Sequence, residues 1–321
     1  MPAYNASALS PEETNRVIVV VCPGQGSQTP GFLAPWLAEP RFRDHLADIS
    51  AAVGIDLALH GTTSDADTIR DTAVAQPLIV AAGLLTLSAL FDGRRDSIGG
   101  VAGHSVGEFT AAAAAGILSE EDAMTLVRER GTSMAKAAAL VTTGMSAVVG
   151  GEESELLEKL TVLGLEPANF NGGGQIVVTG ELDALEKLRV APPAGARVIP
   201  LQVAGAFHTH YMAPAVDRLR AVAASLEKRD PSLTIWTNHD GSTVTSGDAF
   251  VDLLVRQVSS PVRWDKTMDA FAAAGVTGVI EVAPAGALVG LAKRGLRGVP
   301  TVAVRTPDDL AAAFDLIDGK S

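Results

Sequence analysis

Only one cysteine, Cys22, stands among the 321 residues. That excludes an intramolecular disulfide and a cluster of thiolate metal ligands, and it agrees with a reducing compartment in which the thiol simply packs. Basic residues are scarce as well: 25 Lys and Arg face 37 Asp and Glu, for a net charge of −12. Phosphate backbones are bound by concentrated positive charge, so nucleic acid is not an expected partner. No apolar run approaches the length that spans a bilayer, so no membrane association is expected, and Met1 to Asn15 lacks the basic-then-apolar layout of a signal peptide. The expectation is a cytoplasmic protein with a polar N-terminal extension over residues 1–15. Neither G-x-x-x-x-G-K-[ST] nor H-E-x-x-H occurs, so no phosphate cradle and no metal site are expected.

What the chain does have is apolar content, 47%, enough to bury a full core. It also has Gly103-His104-Ser105-Val106-Gly107, a G-x-S-x-G pattern. An apolar stretch, Ser97 to Ala102, precedes it, and an alanine-rich helix former, Phe109 to Ala115, follows. That context predicts a nucleophile elbow, in which small residues let a strand turn sharply into a helix and push the serine hydroxyl outward.

Elsewhere the patterns alternate between strand and helix. Arg16 to Cys22 is a β-branched run ending at the glycine loop Pro23-Gly24-Gln25-Gly26-Ser27-Gln28, which on its own reads as a turn. Helices are predicted over 76–91, with Pro77 in the first turn, and over 120–140. Residues 145–149, 152–163, 167–170, 176–179, 181–190 and 198–203 read as βαββαβ, a ferredoxin-like unit. Helices over 212–228, 249–258, 264–274 and 288–294 and strands over 276–282 and 301–304 complete the reading. The predicted fold is α/β: a large α/β-hydrolase-like subdomain with a short parallel sheet (16–140 and 205–321) carrying an inserted ferredoxin-like subdomain (141–204).

A serine nucleophile needs a base. His104 adjoins the serine but is expected to point the other way along the strand. His208 and His210 lie in a loop between a strand and a helix, where functional side chains tend to be presented. Arg130 sits among Leu126, Val127 and Met134. It is either a snorkelling or ion-paired arginine or a guanidinium placed for a substrate carboxylate.

Taken together, Gly24-Gln25-Gly26-Ser27-Gln28, the Ser105 elbow through Glu108, Arg130-Gly131, Ala206-Phe207-His208, and Arg256-Gln257 with Pro261-Val262 resemble the malonyl-CoA:acyl carrier protein transacylase family. Asn169-Phe170-Asn171 and Ala283-Pro284-Ala285-Gly286 extend the similarity. The resemblance implies Ser105 as nucleophile and His208 as its base, with the histidine oriented by the backbone carbonyl of Gln257 in place of a carboxylate. It implies an oxyanion hole from the N–H groups of Gln25 and Val106, and Arg130 paired with the free carboxylate of malonyl. Phe207 would exclude an α-methyl group, although Gly205 departs from the histidine often found two residues before it.

The activity so implied is ping-pong malonyl transfer from malonyl-CoA to the phosphopantetheine thiol of acyl carrier protein. No cofactor is implied: CoA is a substrate and phosphopantetheine arrives on the partner. Docking an acidic carrier would require a local basic patch, from Lys293, Arg294 and Arg297 or from Arg263 and Lys266. The alternatives are a serine hydrolase or thioesterase using the same elbow, and a noncatalytic carrier-binding module.

Overall fold

A computed structural model describes residues 16–203 and 205–320. The expected extension, 1–15, lies outside them. Among the described residues the strands are β1 (Ile18–Cys22), β2 (Gly100–Gly103), β3 (Thr143–Val149), β4 (Glu166–Gly172), β5 (Gln175–Glu181), β6 (Arg197–Leu201), β7 (Ile235–Trp236), β8 (Val262–Arg263), β9 (Gly278–Glu281) and β10 (Thr301–Ala303). They make two sheets. One is wholly parallel, in the order β10-β9-β1-β2-β7, with every residue of β1 and β2 buried. Its core strands are therefore continuous apolar or small-residue runs covered by helices on both faces, as a parallel sheet requires.

The second sheet has the order β6-β3-β5-β4-β8. Its first four strands are antiparallel neighbours and, with the helices Glu153–Leu163 and Leu182–Val190, form the expected βαββαβ unit. The fifth strand corrects the picture of a self-contained insert: β8 comes from the flanking chain and pairs parallel with β4, Asn169 opposite Val262 and Phe170 opposite Arg263. A two-residue strand carries no periodicity, so the sequence pattern did not reveal it.

The helix predicted over 76–91 starts earlier, at Thr72, because the Asp71 side chain accepts from the Ala73 N–H at 2.8 Å and caps it there. Pro77 is thus inside the helix and not in its first turn. This helix also corrects the statement about apolar runs: Thr72–Leu90 is long and apolar enough to cross a bilayer, with mean hydropathy 1.9, but it is buried within the protein core. It packs on the helix Glu120–Ala138 so closely that a Cβ at Gly131 would lie 2.8 Å from the Thr72 carbonyl oxygen. That contact seats Arg130 beside the end of β2. Cys22 is buried on β1, where desolvation raises its thiol pKa well above the usual value.

Candidate active site

The elbow forms where β2 ends and the helix Gly107–Ala114 begins. Its glycines are required by contact: a Cβ on Gly107 would stand 2.0 Å from the Cys22 carbonyl oxygen, and one on Gly103 2.0 Å from the Gly107 carbonyl carbon. Ser105 takes φ 53°, a left-handed conformation that costs a non-glycine residue on the order of 1–3 kcal/mol and persists only when its surroundings enforce it. Asn238 supplies the enforcement. Its Oδ1 accepts from the Ser105 N–H at 2.7 Å while its Nδ2 donates to the Gly103 carbonyl at 2.6 Å.

His208, also left-handed at φ 64°, brings Nε2 to 2.7 Å from Ser105 Oγ. Its Nδ1 lies 2.8 Å from the Gln257 carbonyl oxygen. A carbonyl only accepts, so Nδ1 carries the proton and Nε2 is left free to accept the serine proton. Burial, and next the nearby Arg130 charge, lower the His208 pKa from 6.5 to about 3, so the imidazole is neutral at physiological pH. His210 turns away, exposed, and bonds Glu166.

Arg130 is 1% exposed. Its Nη1 donates to Gln76 Oε1 at 2.7 Å, and its Nη2 donates to Gln257 Oε1 at 2.8 Å and to Ser105 Oγ at 3.2 Å. Each of these acceptors is neutral, and Nε is buried without a protein partner among the described residues. The sequence left snorkelling and ion pairing open for this side chain. The structure instead shows a buried guanidinium held by amide oxygens and facing the nucleophile.

Ser105, His208, Arg130 and Gln76 line one cavity of about 600 Å³ between the two sheets, together with Gln25, Phe207, Asn169 and Asn171. Val106 follows the serine at the start of the elbow helix, and neither its N–H nor that of Gln25 has a protein acceptor among the described residues. Phe207 is almost wholly buried on the cavity wall. His104 does not point away as strand alternation suggested: β2 stops at Gly103, so the alternation ends there. His104 lines the same cavity, its Nε2 2.9 Å from Asn171 Oδ1. Of the two basic groups, Arg263 and Lys266 pair with Asp265 and Asp269. Lys293, Arg294 and Arg297 are exposed, and Arg294 lines the cavity.

Sequence reasoning missed Asn238, Gln76 and the side chain of Gln257, and took Glu108 only as part of a motif. Gln76 and Glu108 left a trace in composition, Gln76 the one carboxamide and Glu108 the one carboxylate on a helix made mainly of alanine and other apolar residues. Asn238 left none, standing in an irregular Thr237-Asn238-His239-Asp240 turn after a strand of two residues.

Comparison with known proteins agrees with this geometry. A family model described as "Acyl transferase domain" matches residues 19–307. The malonyl CoA-acyl carrier protein transacylase of Mycobacterium tuberculosis is 52% identical over 298 residues, covering 92% of this chain and 98% of that one. A crystal structure of MCAT from the same organism superposes with a TM-score of 0.89 at 51% identity, over 92% of this chain and 99% of the other. A malonyl-transacylase solved in complex with its holo type II PKS acyl-carrier protein gives 0.88 at 30% identity, over 94% and 99%. The elbow, the histidine and the arginine recognised in the sequence thus stand together in a chain that belongs to the malonyl-CoA:acyl carrier protein transacylase family.

Proposed function

We propose that this protein transfers a malonyl group from malonyl-CoA to the phosphopantetheine thiol of acyl carrier protein, through a malonyl ester on Ser105. The observation that carries the reading is the position of Arg130, a buried cation held by neutral acceptors 3.2 Å from Ser105 Oγ. A substrate with a carboxylate near its thioester would give this guanidinium a directly bonded anionic partner and form the fork that guanidinium makes with carboxylates.

In the first half-reaction neutral His208 takes the serine proton through Nε2 as Oγ attacks the thioester carbonyl. The Gln257 carbonyl keeps Nδ1 protonated. The N–H groups of Gln25 and Val106 are assigned to the oxyanion, each worth roughly 2.7–4 kcal/mol if comparable with measured donors of this kind. CoA thiolate leaves, taking the proton from His208. The carrier thiol then gives its proton to His208 and attacks the ester, and the departing Ser105 Oγ takes that proton back from His208. Every group in this scheme belongs to the chain or to its two thioester substrates, so no resident cofactor is invoked. Phe207 is assigned to the wall beside the malonyl α-carbon, where it would exclude a methyl branch. The acidic carrier is assigned to Lys293, Arg294 and Arg297, since Arg263 and Lys266 are already neutralised by neighbouring acids. A cytoplasmic location belongs to the same reading.

Brief incubation with malonyl-CoA, followed by peptide mapping, is expected to show one malonyl group on Ser105 and none on Ser105→Ala. Added holo carrier should discharge it to the carrier thiol. Label elsewhere, or release as free malonate at the same rate with and without carrier, would count against transfer.

A further inference from the structure

Glu108 is the buried acid of the site, 1% exposed, and it takes no part in the chemistry above. Its Oε1 accepts from the Asn238 N–H at 2.7 Å and its Oε2 accepts a short bond from Gln257 Nε2. The same Nε2 also faces the Ser105 carbonyl at 3.1 Å and Asn238 Oδ1 at 3.3 Å, while Gln257 Oε1 accepts a hydrogen bond from Arg130 Nη2. The Gln257 amide therefore has one satisfactory orientation. Flipped, its oxygen would face three acceptors and its NH₂ would face a guanidinium that can only donate.

The geometry points to Glu108 as a positioning residue: by accepting from Gln257 Nε2 it fixes the amide whose oxygen holds Arg130 against Ser105, and so sets the enzyme's preference for a carboxylated acyl group. This rests on the reading of Arg130 as the carboxylate partner. Burial raises the Glu108 pKa to about 8, against the opposing pull of the Asn238 N–H, the Arg130 charge and the Gln257 amide.

Glu108→Gln leaves one oxygen for two donors, the Asn238 N–H and Gln257 Nε2. The new amide must turn its NH₂ toward either the Asn238 N–H or Gln257, and relief by flipping Gln257 sets NH₂ against Arg130.

The test is kcat/KM for malonyl-CoA and acetyl-CoA with the full chain. Glu108→Gln is expected to lower the malonyl-to-acetyl ratio by roughly 10–100-fold, the range for losing a hydrogen bond to a charged group. Glu108→Asp should recover most of the ratio, and in an Arg130→Ala background Glu108→Gln should leave it unchanged. If Glu108→Gln does not fold, Gln257→Met keeps the backbone carbonyl under His208 and should reproduce the loss of ratio. Equal losses for both acyl groups, with Asp no better than Gln, would overturn the positioning role, as would an unchanged ratio in Gln257→Met. Failure of the unaltered protein to load malonyl would remove the functional reading and this one together; loading with an unchanged ratio in the variants removes only this one.

Discussion

At the scale of single residues, the histidine pair separates cleanly. His208→Ala is expected to slow serine acylation by roughly 10²–10⁴-fold, the span for a positioned general base, while the exposed His210→Ala changes it little. A base held near 3 by burial and by Arg130 is protonated only in strong acid. His208 should therefore contribute no acid limb between pH 7 and 5, and a limb centred near 6.5 in the pH–rate profile would contradict that shift. Arg130→Ala should cost malonyl-CoA roughly 2–5 kcal/mol in kcat/KM, by analogy with truncating one partner of a buried charge pair. Acetyl-CoA should lose less but not nothing, because Nη2 also touches Ser105 Oγ. Lys at this position should recover only part, keeping charge without the fork. Equal losses for the two thioesters would show that Arg130 supports the serine and does not read the carboxylate. Ser105 was legible from its elbow, whereas His208 and Arg130 were singled out only through the resemblance of several motifs together to one family. Asn238 was not, since the demand for it comes from a strained φ at a residue far away in the chain.

At the scale of elements, most long periodic segments were legible and the two-residue strands were not, although Pro40–Val53 went unread with Phe42, Leu46, Ile49 and Val53 buried at helical spacing. The inserted βαββαβ unit could be read because each strand and helix in it runs long enough to show its period. The helices Ala34–Leu37, Pro40–Val53, Leu57–Thr62 and Leu310–Asp318 and the strands β7 and β8 went unread. Most of them are brief, and the brief ones are placed by packing rather than by local pattern. The elbow was readable for the opposite reason, since its backbone contacts admit only glycine at two positions. Gly107→Ala should accordingly destabilise the fold by about 3 kcal/mol or more, at the upper end for overpacking, because the obstacle at 2.0 Å is a backbone carbonyl that has no rotamer to move to. Urea denaturation compares it with Ala112→Gly on the same helix; a loss under 1 kcal/mol for Gly107→Ala would mean that the strand and helix can part.

At the scale of the whole molecule, a chain of net charge −12 must meet an acidic carrier through a local exception to its own field. Arg297→Glu, an exposed position outside the cavity lining, is expected to raise the KM for carrier several-fold and to flatten its salt dependence, with malonyl-Ser105 formation from malonyl-CoA unchanged. An unchanged carrier KM would move the docking face elsewhere. The two-sheet plan was legible, but the strand that the flanking chain adds to the second sheet was not, and that strand ties three things together. Only Val258 to Pro261 separate β8 from Gln257, and the Arg263 N–H donates to the Asn238 carbonyl at 2.8 Å. The mooring rope of the insert is thus spliced to both the histidine's anchor and the serine's anchor, so a cleft that yawned to admit a carrier arm would tug on the catalytic pair. Phe170→Ala, which removes the ring under the Arg263 guanidinium, should loosen that splice. Amide exchange is expected to quicken in β4, β8 and the elbow together, with slower acylation of Ser105; quicker exchange in β4 alone, at an unaltered acylation rate, would mean that the insert swings free of the chemistry it covers.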